Sequence, residues 1–333
     1  MYEAFFGLRE RPFDLTPNPR FLLLTSRHRE ALSNLQYGLS TRRGLTLLVG
    51  EAGTGKTTLV RAVVGDLEGK GALIAYLNNP TLSRNEFCEF LAASFRLSSR
   101  ARTSKTALLD ELSRALGERH AAGLLTGLVI DEAQSLPIDL LEEVRLLANI
   151  ETDTEKLLPL VLAGQPELSE RLNHPSLRQL KQRVALRCQL TPLDARETGE
   201  YIASRIRIAG GNSALVFTRQ AVDCIFEHSR GIPRLISVLC DNAMISGFAA
   251  DRRPINREIV ADVCRDFDIN GVHTSLADNG NGAVFHSEPE SVPQPLPVGE
   301  PLPVAEPAAA KPGVDPGRGL FEHFKVRRRF SLF

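Results

Sequence analysis

Gly50-Glu51-Ala52-Gly53-Thr54-Gly55-Lys56-Thr57 is a glycine-rich turn of the form G-x-x-x-x-G-K-[ST], and its reading decides the fold. Leu45–Val49 before it is a short apolar run with strand character, and Thr58–Val64 after it opens a helix. In that strand–turn–helix context the glycines let the backbone wrap a triphosphate with its N–H groups pointing inward. The helix N-terminus adds its own attraction for anions. Lys56 then reaches the β- and γ-phosphates as a point charge, and the Thr57 hydroxyl holds Mg²⁺. The expected nucleotide cradle is Gly50, Glu51, Ala52, Gly53, Thr54, Gly55, Lys56, Thr57 and Thr58.

Working outward, apolar strand-like runs at 45–49, 72–77, 125–130 and 158–163 alternate with helical stretches, the first at 28–41. Such alternation predicts βαβ units and a parallel sheet with helices on both faces. The third run ends in Val129-Ile130-Asp131-Glu132-Ala133-Gln134. A parallel sheet places ligands at the carboxyl ends of its strands. Asp131 is therefore expected to hold the metal through its water shell, and Glu132 to orient the attacking water. A Glu directly after the Asp points to ATP hydrolysis over a structural nucleotide. Gln165, after the fourth run, is either a contact to the γ-phosphate or water or a turn residue before Pro166.

Residues 190–268 carry helical periodicity only, with helices expected at 195–209, 218–228, 233–249 and 256–267. Thr218 and Asn256 are start signals. In Gly231-Ile232-Pro233-Arg234 the proline is pre-organised for the first helical turn. A cation there opposes the helix dipole, which assigns Arg234 another task, reaching a γ-phosphate from the helical region.

The chain has 333 residues, enough for two domains and a tail. Its formal net charge of zero gives no global pull toward nucleic acid. Five dispersed cysteines without a C-x-x-C pair read as buried free thiols of a reducing compartment rather than as a disulfide or metal set. The N-terminus lacks the pattern of a signal peptide, and no apolar run reaches membrane-spanning length, so a cytoplasmic location is expected. The expected organisation is a lead-in at 1–30 packed on the ATPase core and a P-loop α/β domain at 31–190. A helical lid at 191–269, a disordered Pro-rich linker at 270–318 and a basic aromatic segment at 319–333 follow.

The phosphate loop, the Asp-Glu strand end, the polar strand tip and the Gly-x-Pro-Arg helix start, in this order, resemble the AAA+ ATPases. Phe5-Phe6-Gly7-Leu8, Pro12-Phe13, Pro17–Phe21, Ala163–Leu168, Leu193, Tyr201-Ile202 and Arg205 narrow the likeness. Together they resemble the ExeA-like (general secretion pathway protein A) ATPases over about residues 1–268. The resemblance implies ATP hydrolysis with Mg²⁺ that drives assembly or remodelling of a partner in an export or pilus-like system. It also implies a nucleotide-dependent homo-oligomer in which Arg183 reaches the neighbour's γ-phosphate, with Arg178 and Arg187 as competitors for that role. The longer members continue into a transmembrane helix and a peptidoglycan-binding domain, where this chain has the Pro-rich run and the basic end.

Within 319–333, Phe321, Phe324, Phe330 and Phe333 accompany Lys325, Arg327, Arg328 and Arg329. The set suits peripheral contact with an anionic membrane face, a partner groove or a solvated tail. The alternative to a secretion ATPase is a DNA-binding ATPase of the transposition or initiator type. That reading calls for a basic face, whereas residues 190–268 mix Arg with Asp and Glu throughout. A slow nucleotide switch is the third class.

Overall fold

The computed structural model describes residues 1–78 and 80–267. The linker and basic segment expected at 270–318 and 319–333 lie outside the described residues. Five strands, β1 (Leu45–Gly50), β2 (Leu73–Leu77), β3 (Thr126–Ile130), β4 (Leu160–Gly164) and β5 (Val184–Leu190), form one parallel sheet in the order β2-β3-β4-β1-β5. The fourth strand starts two residues later than its apolar run. Leu158 is buried, but Pro159 has no N–H to give to the ladder, and regular pairing begins with Leu160.

Alternation along the strands sorts their side chains to two faces. Leu47, Val49, Leu128, Ile130 and Leu162 pack beneath the helices Arg84–Ser94, Lys105–Ala121 and Ile138–Leu147. Leu48, Val129, Val161 and Ala163 pack beneath Ser26–Ser40 and Lys56–Gly69. Apolar burial on both faces explains why the strands read as near-continuous hydrophobic runs.

After the sheet, helices Ala195–Ile208, Arg219–Ser229, Pro233–Ala249 and Arg257–Asp266 form a bundle. The side chains of Thr218 and Asn256 accept from Ala221 N and Ile259 N as N-caps. One parallel bridge, Phe217 to Ile255, interrupts the otherwise helical expectation.

The N-terminal lead-in divides between the helical bundle and the α/β side. Tyr2, Phe6, Leu8 and Phe13 belong to the core of the helical bundle, alongside Leu193, Ile202 and Ile206. Leu22 and Leu24 pack against the α/β side, and the turn Pro19–Phe21 lies against the helix Lys56–Gly69. Arg205 makes the difference. Its guanidinium donates to the carbonyls of Pro12 (2.6 Å) and Asp14 (3.2 Å), and it lies 5.0 Å from the Phe21 ring centre.

Candidate functional site

β1 delivers the chain to Gly50, and the helix Lys56–Gly69 leaves from Lys56. Between them Gly53 sits at φ 80°, a conformation that costs a glycine little. Lys56 is buried, and its ammonium donates to the carbonyls of Gly50 (2.8 Å) and Glu51 (3.0 Å). Burial pulls the Lys56 pKa down, while Glu132 and Asp131 pull it back up. Thr54 closes the turn by donating its hydroxyl to Glu51 O (2.8 Å).

The carboxyl ends of β3 and β4 bring the acidic and amide groups to the same edge. Asp131 is fully buried, and one carboxylate oxygen accepts from the Thr57 hydroxyl at 2.7 Å. The other oxygen accepts from Glu132 N at 3.0 Å. Glu132 adopts φ 52°, a rare backbone state for a non-glycine residue. Its carboxylate accepts from Gln134 Nε2 (2.6 Å) and Gln165 Nε2 (3.4 Å). The side chain of Gln165 therefore contacts Glu132, while its backbone starts the helix Pro166–Arg171.

The helical bundle supplies the opposite wall. Pro233 and Arg234 open the helix Pro233–Ala249, where first-turn N–H groups have no partner inside the helix. Arg234 N donates to Gly53 O at 3.2 Å, so one main-chain hydrogen bond joins the bundle to the phosphate loop. The exposed Arg234 lines the same cleft as Lys56, Thr57 and Glu132, with residues 14–18 and 21–23 of the lead-in along its edge. Gly231, at φ 74°, makes this approach possible. A Cβ there would lie 1.8 Å from the Leu193 carbonyl oxygen, and Leu193 N donates to Gly231 O at 2.9 Å.

The cleft thus gathers Lys56, Thr57, Glu132 and Arg234, with Asp131 buried behind Thr57 and Gln165 against Glu132. Arg183 is elsewhere. It precedes β5, whose Val184 pairs with Leu45, at the end of the sheet opposite Gly50. Its Nε is buried without a hydrogen-bond partner. Arg178 is exposed, and Arg187 donates to Ser169 Oγ at 3.2 Å.

Three contributors were not found from sequence. Gln134 holds Glu132 and accepts Gln165 N on its own Oε1 (3.1 Å); its position two residues after Glu132 was the available signal. Tyr76 reaches Asp131 from β2, which only the strand order makes possible. Buried His28 lies beneath the loop, with Nε2 3.3 Å from Thr54 O and Nδ1 2.8 Å from the Thr25 hydroxyl, and burial lowers its pKa.

All five cysteines are free. Cys224, Glu227 and His228 cluster within 4.8 Å, but His228 Nδ1 is 2.9 Å from the Cys224 carbonyl and Glu227 is paired with Arg257.

Five parallel strands in this order, a phosphate loop after β1 and acids after β3 place the chain in the AAA+ class, and residues 39–172 match the AAA domain family. Within that class the chain is similar to General secretion pathway protein A of Aeromonas hydrophila, with 42% identity over 249 residues that cover 75% of this chain. The chain spans 45% of the length of that relative. The ORC2 protein of Aeropyrum pernix shares the fold at TM-score 0.58 and 20% identity, over 77% of this chain and 71% of its own. Cdc6p of Pyrobaculum aerophilum does so at TM-score 0.56 and 20% identity, over 74% and 70%. Among the described residues no helix is long and apolar enough to cross a membrane.

Proposed function

We propose that this chain is a Mg²⁺-dependent ATPase that assists assembly or regulation of an envelope secretion or exopolysaccharide export system. The observation that carries the chemistry is the hydrogen bond from Thr57 to Asp131 beside a buried Lys56. A hydroxyl and a carboxylate are hard oxygen donors of the kind Mg²⁺ takes together with phosphate oxygens. Thr57 and Asp131 would hold the ion, which neutralises charge on the phosphates when bound.

The cradle residues Gly50–Thr58 bind the triphosphate, and Lys56 exchanges its carbonyl partners for phosphate oxygens. Glu132 orients the attacking water once its carboxylate turns from Gln134, and Gln165 sits beside it as a polar neighbour of the reacting oxygens. Arg234 acts in cis on the γ-phosphate, where developing charge makes a fixed cation most effective. Arg183 acts in trans in a nucleotide-dependent oligomer, its distance from its own cleft suiting a neighbour's site better, with Arg178 and Arg187 as the competing donors.

The client assignment rests on the likeness to General secretion pathway protein A. A cytoplasmic protein that touches the inner membrane through 319–333 fits that assignment. Fold likeness to ORC2 and Cdc6p at 20% identity carries no DNA function, so DNA enters as an outcome of the test.

Phosphate release from Mg·ATP is the measurement, with Lys56→Ala as control. A contact to a charged group is worth roughly 1.5–3 kcal/mol, so the variant should bind ATP about 10- to 100-fold more weakly. Wild-type turnover stimulated by DNA in a salt-dependent way would move the client to nucleic acid. Absence of Mg²⁺-dependent nucleotide binding would remove the ATPase reading.

A further inference from the structure

Asp131 has a third hydrogen-bond partner that the ATPase chemistry above does not use. The Tyr76 hydroxyl donates to Asp131 Oδ2 at 3.2 Å, the same oxygen that accepts from Thr57 at 2.7 Å. Strand order brings this about. β2 lies next to β3, and their register sets Tyr76 opposite Val129 and Leu77 opposite Ile130. Tyr76 thus projects from the sheet face that carries the helix Lys56–Gly69, one residue short of the strand end.

That helix supplies the other side. Thr57 stands in its first turn and donates to the same carboxylate oxygen as Tyr76. Tyr76 acts as the donor, because a carboxylate oxygen only accepts. Tyr76, Asp131 and Thr57 form a polar chain that joins β2 and β3 to that helix. The half-buried phenol finds its partner in the fully buried carboxylate of Asp131.

We infer that Tyr76 is a positioning residue for metal binding. It holds the Asp131 carboxylate in the rotation that leaves Oδ2 beside Thr57. This rests on the ATPase reading. Outer partners of metal-binding carboxylates commonly set metal affinity by 10- to 100-fold, a larger effect than their distance from the ion suggests. Without the phenol, Asp131 keeps Thr57 and Glu132 N as donors but loses the one that approaches from the β2 side.

The test is a Mg²⁺ titration of a fluorescent ATP analogue bound to the full chain, read as the metal-dependent gain in nucleotide affinity. Phosphate release is measured alongside. Tyr76→Phe keeps the ring and removes only the hydroxyl. We expect its half-saturating Mg²⁺ to rise about 10-fold, metal-free nucleotide affinity to stay within about 2-fold, and turnover to recover at high Mg²⁺.

A Tyr76→Phe midpoint equal to wild type would overturn the inference. So would a loss of thermal stability of the nucleotide-free protein with no change in the midpoint, the signature of a purely structural phenol. A wild-type protein whose nucleotide affinity is the same in Mg²⁺ and in chelator would overturn the ATPase reading itself, a different result from either.

Discussion

The two walls of the cleft are built in opposite ways. On the sheet side, Lys56, Thr57, Asp131 and Glu132 are each already hydrogen-bonded to protein groups before any ligand arrives. On the bundle side, Arg234 offers an exposed side chain, and its wall is tied to the phosphate loop by the Arg234 N to Gly53 O bond. The Thr57–Asp131 pair, held by Glu132 N as well, is pre-organised for binding, which lowers the cost of ordering it around a nucleotide. The bundle wall meets the loop through that main-chain bond and through the close packing of Ile232 and Arg234 on Gly53, and its side chains reach the cleft from outside the sheet. Binding and turnover should therefore separate by wall.

The sharpest way to break this comparison is at the join. Gly231→Ala places a Cβ 1.8 Å from the Leu193 carbonyl oxygen at a residue with φ 74°. Backbone there must shift, at a cost of about 4 kcal/mol or more. Thermal unfolding should show that loss, and nucleotide binding should fall only as far as the bundle swings away from Gly53. Full stability in this variant would mean that the join is not held as described.

Arg234→Ala comes next. It removes a cation from the bundle wall without disturbing the loop hydrogen bond, which is main chain. Loss of one donor aimed at developing charge costs about 10²-fold in turnover. Binding should change by less than about 3-fold, because the sheet wall is intact. Equal losses in binding and turnover would place Arg234 in ground-state binding and blur the division between the walls.

The smallest effect concerns His28 under the phosphate loop. Its folded pKa lies below the ordinary value of 6.5 because burial disfavours the cation. Below about pH 6.5 the unfolded chain takes up the proton more readily, so stability falls as pH drops through that window and is intact above it. His28→Gln keeps a donor toward Thr54 and has nothing to titrate. Its unfolding midpoint should therefore decline less than that of wild type between about pH 7 and about pH 5. Parallel declines would assign the acid sensitivity elsewhere.

The same contrast explains what the sequence could tell. The sheet wall is made of short local patterns: apolar runs ending in glycine, in Asp131-Glu132 or in Gly164-Gln165. Each pattern fixes its own residue at a strand tip, so the parallel sheet and most of the candidate site were legible. The bundle wall depends on long-range pairings. Nothing local says that Phe6 and Phe13 complete a core formed some 190 residues later, or that Arg205 reaches back to Pro12 and Asp14. Strand order is equally non-local, and it alone brings Tyr76 to Asp131. Strand limits shifted where backbone chemistry overrode hydrophobicity, as at Pro159.

The division of labour is tested most directly at Glu132, measuring nucleotide affinity and phosphate release on the same Glu132→Gln protein. The account predicts Mg·ATP affinity within about 3-fold of wild type, since the cradle is untouched. It also predicts a fall in turnover of about 10²-fold or more, the scale of a lost proton-transfer or water-orienting group. Wild-type turnover in this variant would contradict it, because the one carboxylate that the β3 tip presents to the cleft would then have no part in the chemistry.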